Sequence, residues 1–165
     1  GLNALLTCMA LAGTDREVYY TAEEAFPLGT AEWGALNYPS LLGKSEADGV
    51  FRRLHECPWA EFWQVLPGFA LRKIQVDFLD FVPAHRYDLI YFDAFGARVQ
   101  PELWTEAMFA NMYKAAAPGG ILVTYAAKGS ARRAMLAAGF EVERLPGPPG
   151  KREMLRARRP RMQEC

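Results

Sequence analysis

The sequence has few of the residues that build metal centres, disulfide frameworks or membrane spans. Its three cysteines are odd in number and lack metal-ligand spacing, and its two histidines, His55 and His85, have no triad or paired-ligand context. The apolar runs are short and interrupted by charges, so none would cross a bilayer. The apolar start has no basic leader, and we do not interpret it as a signal peptide. We expect a cytoplasmic protein with reduced thiols, no metal and no membrane anchor.

The motifs of two large enzyme classes are also missing. No G-x-x-x-x-G-K-[ST] stretch is present, and the nearest match, GPPGKRE at residues 147–153, lies between late strands and lacks the hydroxyl. No G-x-S-x-G stretch is present either. These absences argue against a P-loop nucleotidase and against a serine hydrolase of the nucleophile-elbow type.

The 165 residues are 51% hydrophobic, which suits one domain with a sizeable core. The net charge is zero, but it is unevenly distributed. Residues 1–127 hold 15 acids and 9 Lys/Arg, whereas residues 128–161 hold 10 Lys/Arg and 3 acids. The basic C-terminal part indicates either an anionic partner or a solvated surface with a basic tail, and charge alone leaves both open.

Helical and strand patterns alternate along the chain. A helix is expected at 4–12, capped by Asn3 and ended by Gly13. Residues 30–66 are expected to be mostly helical, and further helices are expected over 101–116 and 130–138. Strands are expected over 18–22, 71–76, 87–92, 121–125, 140–145 and 154–157. This alternation predicts a parallel sheet covered on both faces. The last two strands are joined by too few residues for a crossover helix, so they should be antiparallel.

Acidic residues follow three of these strands, where a doubly wound sheet binds its ligands. Glu23 and Glu24 end the first strand; one of them suits a ribose diol, and a solvated turn is the alternative. Asp77, with Phe78 beside it, follows the second strand and could equally cap a turn. Asp93 ends the apolar run 89–92, which we expect to be buried. A functional acid is favoured there over a plain loop acid.

Four stretches carry a family resemblance: FDAF (92–95), PELWTEAMFANMY (101–113), APGGILVTYAAKGSARRAMLAAGFEV (117–142) and PGPPGKREML (146–155). They resemble the bacterial class I S-adenosylmethionine-dependent methyltransferases that complete 5-methylaminomethyl-(2-thio)uridine at the tRNA wobble position. The resemblance implies a Rossmann-like class I methyltransferase sheet, mostly parallel with an antiparallel C-terminal hairpin. It also implies S-adenosyl-L-methionine as cofactor and, in related proteins, an FAD-dependent oxidase partner or fused domain.

The resemblance also assigns residues to roles. Asp93 would be catalytic, holding the aminomethyl group and relaying its proton. The cofactor would be bound by Gly1, Asn3, Glu24, Asp77, Phe78 and Asp93. Phe95 and Trp104 could stack a splayed anticodon base, with helix core as the alternative for Trp104. Phosphates of the anticodon stem-loop would be met by Lys128, Arg132, Arg133, Lys151 and Arg152.

The family enters its sheet through a strand and an acid-containing glycine loop, whose last glycine would be Gly1. We therefore expect a methyltransferase domain over 1–158 that lacks its first strand, and a basic tail over 159–165. Two other functions stay open from the residues: a small-molecule N- or O-methyltransferase on the same fold, and a catalytically inactive module that binds tRNA or a partner protein.

Overall fold

The computed structural model of the protein describes residues 1–147 and 149–161. The chain divides into two compact units, the first ending at Asp80 and the second beginning at Phe81. Each unit combines helices with a β-sheet of its own, in agreement with the predicted α/β class. The described strands form two mixed sheets, whereas one mostly parallel sheet was expected. Every helix among the described residues is too short or too polar to span a membrane.

The first unit is a mixed three-stranded sheet with helices between its strands. Its elements are α1 (Leu2–Leu11), β1 (Val18–Glu24), α2 (Thr30–Gly34), α3 (Tyr38–Leu42), α4 (Ala47–Glu56), β2 (Trp63–Leu66) and β3 (Phe69–Gln75), followed by a 3₁₀ turn (Phe78–Asp80). The strand order is β1-β3-β2. Strands β1 and β3 are parallel, and β2 pairs with β3 in an antiparallel hairpin.

Apolar residues of α1 and α4 form the core of this unit with one face of the sheet. In α4, Val50, Phe51 and Leu54 lie on one side of the helix because they are spaced at i, i+1 and i+4. They are almost fully buried and belong to the same apolar cluster as Leu5 of α1 and Leu71 of β3. In the parallel register of β1 and β3, Glu24 pairs with Gln75, so both strands end at the same end of the sheet.

The first helix begins earlier than predicted, and Asn3 does not cap it. The bond from the Leu5 N–H to the Gly1 carbonyl (3.0 Å) already closes a helical turn, so Asn3 lies inside the first turn. The Asn3 carbonyl accepts a bond from the Thr7 hydroxyl (2.7 Å). The helix ends at Leu11, two residues before the predicted glycine.

The prediction that residues 30–66 are mostly helical was wrong at its end. Three short helices occupy the segment up to Glu56, and the hairpin strand β2 follows at Trp63–Leu66. Gly68 makes the hairpin possible: its φ is +78°, and an added Cβ would lie 2.8 Å from the Arg16 carbonyl oxygen. The Pro67-Gly68 dipeptide is a turn signal that the helical interpretation overlooked.

The second unit is a mixed four-stranded sheet flanked by two helices. Its elements are β4 (Tyr87–Tyr91), a 3₁₀ turn (Pro101–Trp104), α5 (Glu106–Ala115), β5 (Ala116–Thr124), α6 (Gly129–Ala137), β6 (Glu141–Pro146) and β7 (Glu153–Arg158). The strand order is β4-β5-β7-β6. Strands β4 and β5 are parallel, whereas β7 runs antiparallel to both β5 and β6. The predicted antiparallel C-terminal pair is therefore confirmed, with Leu145 opposite Met154.

The predicted helix over 101–116 is divided at Thr105. Its first turn is 3₁₀, and the Thr105 hydroxyl then caps α5 by accepting a bond from the Met108 N–H (3.3 Å). The PGG segment at 118–120 falls between the predicted helix and the predicted strand over 121–125, but in the structure it is part of β5. Gly120 is required there because an added Cβ would lie 2.9 Å from the Tyr87 carbonyl oxygen of the neighbouring strand.

The predicted basic tail, residues 159–165, includes residues 162–165, which lie outside the described residues. Its first residue, Arg159, donates from its guanidinium to the carbonyls of Tyr113 and Ala116 (both 2.9 Å). The same guanidinium lies over the Tyr113 ring at 4.6 Å. These contacts attach the end of β7 to the C-terminal end of α5.

Candidate functional site

The loop after β4 carries the acid singled out in the sequence. Phe92 bonds to β5 from its N–H to the Val123 carbonyl (2.9 Å), and Phe92 is only 2% exposed. That ring packs edge-on against Trp104 and lies beside Phe109 at centroid distances of 5.3 and 5.2 Å. The next residue, Asp93, is exposed. A well-packed aromatic group therefore fixes the point at which the acid leaves the sheet.

The expectation that the strand before Asp93 is buried on both faces was wrong. Leu89 and Tyr91 are 44% and 37% exposed, whereas Phe92 on the opposite face is buried. In the described part of the chain, β4 is an edge strand that pairs only with β5. An apolar sequence run does not distinguish an edge strand from a central one.

Two aromatic side chains hold the backbone of the loop that contains Asp93. The Tyr125 hydroxyl donates to the Ala94 carbonyl (2.8 Å), and the Trp104 indole N–H donates to the Phe95 carbonyl (2.7 Å). Both donors come from elements that the sheet and the core already fix. Consecutive carbonyls of the loop are thus held in place, and the Phe95 ring is left 69% exposed.

A cavity of about 540 Å³ lies beside this loop. Its lining residues are Gly96, Ala97, Arg98, Val99, Trp104, Tyr125, Ala126, Ala127, Lys128, Ala131, Lys151, Arg152 and Glu153. The aromatic and small apolar side chains form a surface suited to a planar ring, and four cations with one acid line the remainder. Its size is within the usual range of small-ligand pockets.

Lys151 connects the cationic part of the cavity to its aromatic part. Its Nζ lies 3.9 Å from the centroid of the Tyr125 ring, a cation–π contact. Burial and the nearby charge of Asp93 both raise the pKa of the Tyr125 phenol above its usual value of 10. The hydroxyl therefore stays protonated near neutral pH and keeps its bond to the Ala94 carbonyl.

The structure brings together most of the residues predicted for substrate. Trp104, Lys128, Lys151 and Arg152 all line the cavity. Trp104 is only 7% exposed and packs in the core, as its alternative interpretation held, while one part of it reaches the cavity. Arg132 and Arg133 lie on α6 and are not lining residues.

Some basic side chains of this unit form ion pairs with acids of the same unit. Arg144 pairs with Glu153 (3.6 Å) and Arg156 with Glu143 (2.6 Å). The ion pairs found among residues 1–147 and 149–161 do not include Lys151 or Arg152. Those two side chains are exposed, so their charge is presented to solvent at the cavity.

In the first unit, the two predicted acids lie at the same end of the sheet. One oxygen of Glu24 accepts a bond from the Phe26 N–H (3.0 Å), and one oxygen of Asp77 accepts from the Leu79 N–H (2.9 Å). Asp77 thus caps the turn that contains Phe78, as the alternative interpretation held. Both carboxylates have a second oxygen for a ligand. Gly1 and Asn3 lie at the start of α1 in the same unit.

Glu23 has an unusual environment that the sequence did not indicate. Burial raises the pKa of its half-buried carboxyl from 4.5 to about 7, although the charge of Arg72 lowers it in part. Arg72 is itself held over the Phe62 ring at 4.7 Å. Since the folded state binds this proton more tightly than the unfolded state, the free energy of unfolding should fall as pH rises from about 4.5 to about 7.

We predict that Glu23→Gln raises the melting temperature at pH 8 and has little effect at pH 4. The amide resembles the protonated acid, so it removes a cost that exists only above the acid's ordinary pKa. After discounting for solvent screening, the gain should be about 1 kcal/mol, or about 2–4 °C. Melting curves at both pH values, with the exposed Glu17→Gln as control, check this. An equal shift at both pH values would contradict it.

Tyr125 and Arg98 are site residues that the sequence interpretation missed. Tyr125 lies in the stretch ILVTYAAKGS, immediately after β5, where a ligand-facing residue is expected by topology. Its bond to a carbonyl 31 residues earlier has no signal in the sequence.

Among the described residues, no group of three or more His, Cys, Asp or Glu side chains could hold a metal ion.

Comparison with known proteins identifies the family. The sequence profile of an S-adenosyl-L-methionine-dependent methyltransferase family matches residues 67–160, more than half of the chain. The chain belongs to this methyltransferase family. The prediction of an S-adenosyl-L-methionine-dependent methyltransferase, and with it the predicted cofactor, is thereby confirmed.

Two relatives are named as MnmC, a bifunctional protein of tRNA 5-methylaminomethyl-2-thiouridine biosynthesis. The protein from Aromatoleum aromaticum is 44% identical over 71 residues, which cover 43% of this chain and 11% of that protein. The one from Ectopseudomonas mendocina is 30% identical over 164 residues, which cover 94% of this chain and 25% of that protein. The chain thus spans about a quarter or less of these relatives' length.

A solved structure has the same fold. MNMC2 from Aquifex aeolicus superposes with a TM-score of 0.69 at 20% sequence identity, covering 99% of this chain and 53% of that one. At this identity the likeness establishes the class I methyltransferase fold and nothing further about substrate.

Proposed function

We propose that this methyltransferase methylates the aminomethyl nitrogen of 5-aminomethyl-(2-thio)uridine at the wobble position of tRNA. The proposal is supported by the relatives named for biosynthesis of this nucleoside. The observation that carries it is the cavity of the second unit, with aromatic and cationic side chains beside the loop that bears Asp93. An unstacked base on an aromatic surface, with its phosphates on cations, is the usual form of single-stranded RNA recognition.

Asp93 is the catalytic residue in this proposal. Its carboxylate accepts hydrogen bonds from the substrate amine, orients the nitrogen lone pair and provides a route for the departing proton. S-adenosyl-L-methionine, when bound, supplies the methyl group on a sulfonium. Displacement at that centre needs alignment and a neutral amine, so no activated protein nucleophile is required.

The cofactor assignments rest on each unit's own geometry. In the first unit, Glu24 has a second carboxylate oxygen for the ribose hydroxyls, and Asp77 with Phe78 offers an acceptor and a ring for adenine. Gly1 and Asn3 stand at the start of α1, where backbone N–H groups point outward. In the second unit, Asp93 is assigned to both cofactor and substrate.

Partner and location complete the proposal. The basic surface of residues 128–161 contacts the anticodon stem-loop, with Arg132 and Arg133 on α6 beyond the cavity. A cytoplasmic location follows from a tRNA substrate. An FAD-dependent oxidase, as partner or fused domain, stays a prediction from the family resemblance.

The direct test is mass spectrometry of wobble nucleosides after undermodified tRNA is incubated with the full-length protein and S-adenosyl-L-methionine. We expect conversion of 5-aminomethyl-(2-thio)uridine to its N-methyl form, dependent on the cofactor. Cofactor-product binding by calorimetry without any change in tRNA nucleosides would favour a small-molecule methyltransferase. Absence of both would favour an inactive binding module.

Reversing the charge of Lys151 and Arg152 should weaken tRNA binding and flatten its dependence on salt. Each lost phosphate contact lowers the slope of log K against log salt by about 1. Binding of S-adenosylhomocysteine should not change. The slope is checked by measuring tRNA affinity by filter binding at salt concentrations from about 50 to about 300 mM.

The matched control for that experiment is Arg86→Glu with Lys114→Glu. This pair changes the net charge equally, but Arg86 lies just before β4 and Lys114 in the last turn of α5, and neither lines the cavity. If the control weakens tRNA binding as much as the Lys151 and Arg152 variant, the effect is one of overall charge. If the Lys151 and Arg152 variant also loses cofactor-product affinity, the two residues support the fold instead.

A further inference from the structure

The loop that bears Asp93 is held by two side chains from other elements. Beyond the bond from Phe92 to β5, the carbonyls of Ala94 and Phe95 accept bonds from Tyr125 and Trp104 (2.8 and 2.7 Å). The acid therefore sits between a fixed strand end and two fixed carbonyls. Any side chain that sets the Ala94 carbonyl also sets the backbone from which the Asp93 carboxylate projects.

The two donors, Trp104 and Tyr125, differ in how deeply they are buried and in what else they contact. Trp104 is 7% exposed and packs on Phe92 and Phe109, so its removal would damage the core. Tyr125 is only partly buried and lines the cavity, so its hydroxyl can be removed without opening a core void. Tyr125 is thus the donor whose role in the loop can be separated from its role in packing.

Tyr125 also contacts Lys151, a basic residue in the connection between β6 and β7. The Lys151 ammonium lies over the face of its ring at 3.9 Å, while the hydroxyl at the far end of the ring bonds to the loop. One side chain thereby joins the connection between β6 and β7 to the loop after β4. Substrate phosphate that engages Lys151 would meet a cation already placed by this ring.

We propose that Tyr125 is a positioning residue for methyl transfer: its hydroxyl holds the Ala94 carbonyl, and hence Asp93, in the geometry that aligns the amine. This rests on the proposed function of Asp93. The phenol remains a hydrogen-bond donor because burial and the Asp93 charge raise its pKa. Loss of alignment is costly, since a displacement of about 1 Å in a reacting group can slow a reaction about 10²-fold.

The test is Tyr125→Phe, which removes the hydroxyl and keeps the ring under Lys151. The matched control is Tyr113→Phe, which removes a hydroxyl from the same unit, where the ring packs on Phe140. In the full-length protein, single-turnover methylation of undermodified tRNA should fall about 10-fold in Tyr125→Phe, the order of rate loss expected when one hydrogen bond is removed and the backbone shifts only in part. The Kd values for tRNA and S-adenosylhomocysteine should stay within about twofold, because contacts to both ligands are kept.

A double-mutant cycle separates positioning from a general structural role. If Tyr125 acts through Asp93, its hydroxyl contributes nothing to the rate once Asp93→Ala is present, so the two losses are not additive. Full additivity, or a Tyr125→Phe rate equal to wild type, would overturn the proposal.

Hydrogen exchange distinguishes failure of this proposal from failure of the proposed function. Amides of residues 93–97 should exchange faster in Tyr125→Phe than in wild type or Tyr113→Phe, whatever the methyl acceptor is. If wild-type protein leaves tRNA unmethylated, the proposed substrate is wrong, and the exchange result still decides whether the hydroxyl holds the loop. Unchanged exchange at these amides refutes the positioning role.

Discussion

Replacing Asp93 by alanine is expected to slow single-turnover methylation of undermodified tRNA by about 10²-fold or more in the full-length protein. The carboxylate aligns the amine and takes part in removing its proton, and alanine loses both functions. Asp93→Asn keeps the shape and one acceptor but loses the charge, so a loss of similar size is expected. The free amine is already a good nucleophile, which means that alignment accounts for most of the effect.

The variants should remain folded, because Asp93 is an exposed residue and the packing at this point is made by Phe92. Melting temperatures measured alongside the rates check this. Asp88→Ala is the matched control: it removes an exposed acid from β4 itself. Near-wild-type turnover in Asp93→Ala would mean that the acid only terminates a strand, and that the chemistry lies elsewhere.

The sequence placed Asp93 correctly at a strand end but misjudged the strand. A run such as Leu89 to Phe92 predicts a strand because β-branched, aromatic and leucine residues suit a pleated surface. It does not state how many neighbours the strand has. Leu89 and Tyr91 lie on an exposed face of β4, which has a single partner among the described strands. Both the covering of a face and the pairing of a strand depend on residues far away in the chain.

Connection length predicted topology more reliably than local pattern did. The few residues between Leu145 and Met154 leave no room for a crossover, which forced the antiparallel pairing that the structure shows. By contrast, Trp63 to Leu66 contains residues that either a helix or a strand accepts, so their local pattern does not decide between the two. The turn at Gly68 indicates a hairpin there, and a hairpin requires Trp63 to Leu66 to be a strand.

Individual acids and bases were predicted by type and position, whereas the contacts that organise them were not. Lys151 and Arg152 could be proposed as phosphate ligands because they belong to a basic segment. That Lys151 lies on the Tyr125 ring depends on the register of β5 against β7, which fixes how two distant segments meet. A hydroxyl-to-carbonyl bond across 31 residues likewise follows only from the folded chain.

Glu24→Ala should raise the dissociation constant for S-adenosylhomocysteine in the full-length protein by about 5- to 150-fold. This range corresponds to about 1–3 kcal/mol, the cost of leaving a polar partner unpaired at a binding site. The physical reason is that two ribose hydroxyls share one carboxylate, which alanine removes entirely. Isothermal titration calorimetry with S-adenosylhomocysteine measures the constant directly.

Glu24 also accepts a bond from the Phe26 N–H, so a second variant is needed to separate the turn from the ligand. Glu24→Gln keeps a carbonyl oxygen for that N–H but offers the ribose a weaker, uncharged acceptor. If Glu24 binds the ribose, the glutamine variant should lose affinity while retaining the wild-type melting temperature. The exposed Glu17→Ala, before β1, serves as the control for charge. A dissociation constant within about twofold of wild type in Glu24→Ala would place the ribose elsewhere, and Glu24 would then be a residue of the turn alone.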